Sequence, residues 1–335
     1  MEKVIATGSQ DFEYLRKNNG FYVDKTDFIR KWWKGLDSVT LITRPRRFGK
    51  TLNMSTLNCF FSNKFENRGD LFEGLKVWED ADLRAQQGKW PVIFLSFAGI
   101  KGRTYDDTMV QMKKLLTRLY LDFPELYRYE GFENNERQSL IKICEDMSDT
   151  EAALSVNLLS GLLRKVYGKK VLIFLDEYDT PLQEAYINGY WDDLVAFTRT
   201  MFNNAFKTNL SLERGIMTGI TRVSKESIFS DLNNLVVVTT TSNLYADCFG
   251  FTEEEVFQAL EDQGFTEEDK QDVKRWYDGF TFGPVTDIYN PWSITNFLNE
   301  KKLKVYWANT SSNGLVGKLL RTGKPEIKKL FEDLM

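Results

Sequence analysis

The segment Val39 to Thr51, VTLITRPRRFGKT, restricts the fold more than any other part of this chain. Val39 to Thr43 is a run of apolar and β-branched residues that reads as a buried strand, and it leads into Gly49-Lys50-Thr51. A strand that ends in a tight glycine turn before a helix presents that helix's unpaired N–H groups and positive dipole end to an anion. Lys50 would then reach the outer phosphates of a polyphosphate as a mobile point charge, and the Thr51 hydroxyl would ligate the Mg²⁺ bridging them. Arg46, Arg47, Phe48, Gly49, Lys50, Thr51 and Leu52 are accordingly the candidate residues for phosphate contact. The usual phosphate loop opens with glycine six residues before this lysine. Here Arg44 stands at that place and Pro45 follows. Arginine resists positive φ, so the first turn of the cradle is expected to be built differently. A GKT tripeptide also occurs by chance in surface turns, so the reading needs a second motif.

Lys169 to Pro181, KKVLIFLDEYDTP, supplies it. Five apolar residues from Val171 to Leu175 read as a central parallel strand, and they run straight into Asp176 and Glu177. Ligands of open α/β sheets bind beyond the carboxyl ends of the strands, so both carboxylates would project into the crevice that holds the phosphate loop. Asp176 would support Mg²⁺ and Glu177 would polarise an attacking water. The plainer alternative is a strand that ends at the surface of a chain with 48 acidic residues, with Asp179 and Thr180 capping the next helix. Further strands are expected at Pro91–Gly99, Arg214–Ser224 and Leu235–Thr241. The second of these brings Thr218, Thr221 and Arg222 toward the same edge, where Thr218 or Thr221 would sense an outer phosphate and Arg222 would neutralise transition-state charge. As purely structural residues, Thr218 would fill the core and Arg222 would pair with Glu226 on a helix face. Helices are expected after Thr51 and over 104–121, 151–167 and 191–208. The alternation predicts an α/β fold with a mainly parallel wound sheet.

Two flanking regions complete the organisation. Residues 11–35 read as a helix, a turn at Gly20 and a second helix opening near Asp24 or Thr26, a leader expected beside the ligand. Beyond 250, Thr252 with Glu255 forms a capping box, Thr266 with Asp269 a near version, and Asn290-Pro291 opens another helix. Trp276 to Trp292 reads as an aromatic-rich turn or hairpin between these helices. The division predicted is a core over 1–250 and a smaller, mostly helical lid over 251–335.

Composition removes several chemistries. The chain has no histidine, which excludes Ser-His-Asp triads, Cys-His nucleophile pairs and His-containing zinc sites. Its three cysteines, Cys59, Cys144 and Cys248, are widely spaced and odd in number, so reduced, buried thiols are expected rather than a disulfide framework. A net charge of −4 argues against a protein that coats nucleic acid over its whole surface. Arg44, Arg46 and Arg47 form a local basic cluster whose nearest anions would be the phosphates of a bound nucleotide. No apolar stretch approaches a membrane span, and the opening MEKVIATGSQDFEY lacks a signal peptide's apolar core. The chain therefore reads as cytoplasmic.

FYVDKT (21–26), LITRPRRFGKTLNMSTL (41–57), FLDEYDTP (174–181) and GITRVSKESIFSDLNNL (219–235) together resemble the AAA-ATPase-like family of bacteria and some eukaryotes. The resemblance continues through FGFTEEEV and YDGFTFG to YNPWSITNFL, and RPRRFGKT is the family's own form of the loop. It implies a P-loop NTPase fold with ATP and Mg²⁺ as ligands. The extra strand candidate Pro91–Gly99, between the loop and the carboxylates, matches the branch of such proteins in which a strand inserted between the first strand and the acidic one accompanies a catalytic glutamate. The choice of adenine over guanine is carried by the resemblance alone. Family members often carry a PD-(D/E)XK nuclease-like domain after the ATPase portion. No such motif is read before Met335, so nuclease activity is not assigned to these residues. A DNA or nuclease partner follows from family context only. An arginine acting in trans would make the working unit a homo-oligomer, with Arg46, Arg199 and Arg222 as candidate donors. The leading expectation is an ATP hydrolase with a nucleotide-driven lid. The alternative is a non-hydrolysing, nucleotide-regulated switch or scaffold.

Overall fold

The computed structural model describes residues 3–220, 228–229 and 231–307. Its centre is a five-stranded sheet of β1 (Val39–Thr43), β2 (Val92–Ser96), β3 (Val171–Asp176), β4 (Leu212–Gly219) and β5 (Leu235–Val238). The spatial order is β2-β3-β4-β1-β5, and every pairing is parallel. β1 and β3 are buried along their whole length, as continuous apolar runs require when helices cover both faces. The strand that separates β1 from β3 in space is β4. The Pro91–Gly99 segment, which precedes the acidic strand in sequence, forms β2 on the outer edge.

Strand alternation divides the core in two. Leu41, Ile93, Ile173, Leu175 and Met217 face one layer with the helices Tyr105–Leu121, Asp149–Tyr167 and Trp191–Phe202. Ile42, Val92, Leu172, Phe174 and Ile216 face the other, against the helices Asp27–Lys34 and Lys50–Phe61. Register then aligns the carboxyl ends: Thr43 lies beside Gly219, and Ser96 beside Asp176. The Gly49-Lys50-Thr51 segment and the acidic pair therefore leave the sheet at one edge.

Local sequence explains the helix limits. Ser148 and Glu151 form a capping box, so the helix expected over 151–167 opens at Asp149 and closes at Gly168, whose φ of +65° suits glycine. The helix expected over 191–208 ends at Phe202 and continues as a π turn over Asn203–Lys207. Asn157 Nδ2 donates to the Asn204 carbonyl at 2.7 Å across that turn. β4 ends at Gly219, so Thr221 and Arg222 lie outside the described residues, as does Glu226.

Beyond β5 the chain forms β6 (Phe251–Thr252), the helices Glu253–Asp262 and Glu267–Tyr277, β7 (Phe280–Phe282), β8 (Val285–Tyr289) and the helix Pro291–Glu300. Both capping boxes are formed, and Asn290 accepts from the backbone N–H groups of Trp292 and Ser293. The aromatic-rich segment is the β7–β8 hairpin. β6 joins it as an antiparallel third strand, so a small sheet accompanies the helices of this region. Cys59 and Cys248 are buried free thiols, whereas Cys144 is exposed, because it lies on the surface turn after the helix Asn134–Ile141. Among the described residues no helix is long and apolar enough to cross a membrane.

Candidate functional site

The loop between β1 and its helix takes its left-handed turns late. Arg47 has φ +69° and Gly49 φ +78°, and Arg44 is not among the positive-φ residues. An added Cβ on Gly49 would meet nothing within 4 Å, so the loop backbone there is open to a ligand. The loop's carbonyls turn the other way. Lys50 Nζ donates to the Arg44 carbonyl at 2.9 Å and to the Pro45 carbonyl at 2.8 Å, folding the lysine back over its own loop. The helix Lys50–Phe61 begins directly after Gly49, so its first-turn N–H groups, which have no intrahelical acceptor, surround the same point.

The acidic strand meets this loop through hydroxyls. Asp176 is fully buried. One carboxylate oxygen accepts from Thr51 Oγ1 at 2.9 Å and the other accepts from Thr218 Oγ1. Hydrogen bonds to an ionised group contribute about 1.5–3 kcal/mol each, and here two of them hold a carboxylate that burial would otherwise penalise. Thr218 thus reaches the edge as expected, but its partner is the acidic strand. Glu177 follows with φ +51°, a conformation that costs a residue with a side chain about 1–3 kcal/mol and turns its carboxylate into the cleft. Its Oε2 accepts from Thr180 Oγ1 at 3.1 Å. Asp179 stands at the N-cap position without capping the helix. Its carboxylate accepts from Ile220 N at 3.0 Å and Gln183 Nε2 at 2.9 Å, fastening the helix Thr180–Asn188 to the end of β4.

The loop, Glu177 and Thr180 open onto a cleft of about 360 Å³, whereas Asp176, Asp179 and Thr218 are fully buried behind it and do not line it. All seven candidate loop residues, Arg46 to Leu52, line it, together with Glu177, Thr180 and Gln183. One wall is the leader, with Ala6 to Gln10 on one strand of chain and Phe21 to Lys25 on another, held together by paired backbone bonds between Val4, Asn19 and Phe21. The far wall is Gly250, Phe251, Trp292 and Thr295. Lys25 ties three regions together: its Nζ donates to the Asp247 carbonyl at 2.8 Å and to Glu255 Oε2 at 2.6 Å. No local pattern signals this tie beyond the lysine of FYVDKT.

The arginines of the loop take three different environments. Arg46 reaches Gln183 at 3.4 Å, and Arg47 lies with its guanidinium 4.1 Å over the Trp292 ring. Arg44 does not face the cleft. It is fully buried behind the loop, so the expectation that nucleotide phosphates are its nearest anions is overturned. Phe48 is also fully buried, packed on Phe280 and Phe282 of β7, so only its backbone is available to the cleft. Burial pushes the Lys50 ammonium down to about 8, against the opposing pull of Asp179, Glu177 and Asp176. Lys50 is therefore a buried cation held between its own loop carbonyls and the acidic residues at the end of β3.

A model of the family described as "Predicted AAA-ATPase" matches residues 6–229, which include the leader, the loop after β1 and the acidic strand. The chain is also similar to a protein of Azotobacter chroococcum mcd 1 named "Uncharacterized protein in vnfD 5'region". They are 26% identical over 321 residues, covering 92% of this chain and 54% of the relative, so the chain spans about half the length of that protein. With a five-stranded parallel sheet of the P-loop NTPase kind and a family match over two-thirds of its length, the chain belongs to the AAA-ATPase-like family of nucleotide-binding proteins.

Proposed function

We propose that this chain is an ATP-binding, Mg²⁺-dependent ATP hydrolase in which the nucleotide state of the loop moves a lid formed by residues 251–335 relative to a core over 1–250. The observation that carries the reading is the meeting of Thr51 and Asp176 at 2.9 Å, beneath a cleft that Lys50 and Glu177 both line. A hydroxyl and a carboxylate oxygen are the hard donors that Mg²⁺ selects, so this donor set fits the ion. When bound, Mg²⁺ supplies charge neutralisation at the outer phosphates. Lys50 and the loop N–H groups of Arg46 to Leu52 bind the phosphates, and Thr51 and Asp176 hold the metal's side of the site. Glu177, steadied on one oxygen by Thr180, takes a proton from the attacking water. Arg222 is proposed to stabilise transition-state charge. It lies outside the described residues.

Glu177→Gln keeps the shape of the side chain and removes its basicity. Calorimetry with a non-hydrolysable ATP analogue and Mg²⁺ should show affinity within about threefold of wild type, while phosphate release falls by roughly 10²–10⁴-fold. Unchanged release would remove Glu177 from this role. The packing of Phe48 against β7 also favours a second reading, a nucleotide-regulated switch that turns over little. Binding without steady-state phosphate release in the wild-type protein would select it.

A further inference from the structure

Arg44 occupies the position where the general phosphate loop has glycine, and the hydrolase mechanism gives it nothing to do. Its guanidinium is fully buried and, among the described residues, makes no ion pair with a carboxylate. Nη1 donates to the Thr43 carbonyl at 3.0 Å and Nη2 to the Tyr245 carbonyl at 3.3 Å, while Nε is buried without a partner. The Phe282 ring lies 4.7 Å from the cation and the Phe249 ring 5.6 Å from it. The backbone of the same residue is fixed on both sides: its N–H donates to the Gly219 carbonyl at 3.2 Å, and its carbonyl accepts from Lys50 Nζ at 2.9 Å. One residue therefore joins the end of β4, the phosphate-binding lysine, the segment before β6, and β7.

We propose that Arg44 is a positioning residue that clamps the opening of the phosphate loop to Tyr245 and to the β7–β8 hairpin, so that a triphosphate held by the loop also immobilises that hairpin. The fork geometry is what the clamp needs. A guanidinium is planar, reaches two carbonyls at once and stacks on aromatic rings, whereas an ammonium is a single point donor and a thioether supplies only bulk. Phe48 reaches the hairpin from the same loop as apolar packing, whereas Arg44 sets its cation against the Phe282 ring of β7 and ties the loop to Tyr245 by the Nη2 bond. The charge survives its burial: desolvation draws the guanidinium only down to about 10, so it remains cationic at neutral pH.

This clamp rests on the nucleotide-binding reading, and the test separates the two. Wild type, Arg44→Met and Arg44→Lys are compared by calorimetry with a non-hydrolysable ATP analogue and Mg²⁺, and by amide hydrogen exchange over residues 280–289 with and without that ligand. In wild type the ligand should slow exchange in the hairpin about tenfold or more. In Arg44→Met the protein should stay folded, since a well-packed apolar group often replaces a buried charge without loss of stability. Its affinity should weaken about tenfold, and the ligand-dependent protection of the hairpin should disappear. Arg44→Lys keeps the charge but not the fork and should lose the protection too, which keeps the test valid if the Met variant unfolds. A wild-type hairpin indifferent to bound ligand, or either variant retaining full protection, overturns the clamp alone. Absence of any heat of binding in wild type overturns the nucleotide reading, and the clamp with it.

Discussion

Lys50 offers a test in which function and stability pull in opposite directions. Its side chain is only 6% exposed, and burial draws its pKa from the ordinary 10.5 down to about 8. At about 1.36 kcal/mol per pKa unit, carrying this charge costs the folded protein ~3 kcal/mol at pH 7. Below pH 8 the lysine is protonated in the folded and the unfolded chain alike, and the full cost applies. Between pH 8 and 10.5 the folded chain has released the proton and the unfolded chain has kept it, so unfolding takes up a proton and stability rises with pH. Above 10.5 the cost is gone. Lys50→Met keeps the length of the side chain without its charge. The variant should therefore be more stable than wild type by ~2–3 kcal/mol at pH 7, and the difference should shrink by ~1.4 kcal/mol per pH unit above 8. Urea midpoints of both proteins measured at each pH isolate the effect, because the other titrating groups cancel in the difference. A bound triphosphate should restore the proton, so wild-type affinity should fall by up to about tenfold per pH unit above 8, with proton uptake visible as a buffer-dependent heat. A variant less stable than wild type at pH 7, or a difference that ignores pH, would falsify the placement of a charged lysine against its own loop carbonyls.

Two further substitutions probe the neighbours of that lysine. Thr51→Val removes one of the two hydroxyls on buried Asp176 and should lower stability by about 1.5–3 kcal/mol and abolish the Mg²⁺ dependence of nucleotide binding, while Thr51→Ser restores both; denaturation and calorimetry with and without Mg²⁺ would show it, and a valine variant that still responds to Mg²⁺ argues against the donor pair. Phe48→Ala empties a space lined by Ala246, Phe280, Phe282 and Ile288 and should cost about 3–5 kcal/mol in scanning calorimetry, with a loss below 1 kcal/mol showing that the loop does not depend on the hairpin.

The sheet was legible because its strands obey simple rules. β1 is a run of apolar and β-branched residues and β3 an apolar run up to Asp176, both buried along their length as the sequence pattern predicts. Helix openings at Thr252, Thr266 and Asn290 were legible for the same local reason, since each cap is written within four residues. β6 was hidden because two residues carry no period, and its pairs with β8, Phe251 with Tyr289 and Thr252 with Ile288, join residues that no local pattern connects. Charge alone misplaces Arg44. Aromatic rings and backbone carbonyls, invisible to a tally of opposite charges, gave it a better site behind the loop. Of the two roles open to Thr218, sensing an outer phosphate or filling the core, the structure has it fully buried with its hydroxyl on Asp176.

The cleft draws its floor from the middle of the chain and its walls from segments as far apart as Gly8 and Trp292. A nascent polypeptide that has emerged as far as β5 carries every strand of the parallel sheet but lacks the indole that covers Arg47. The wall of the cleft is therefore completed late in synthesis, when the ring at 292 closes over a loop translated more than two hundred codons earlier.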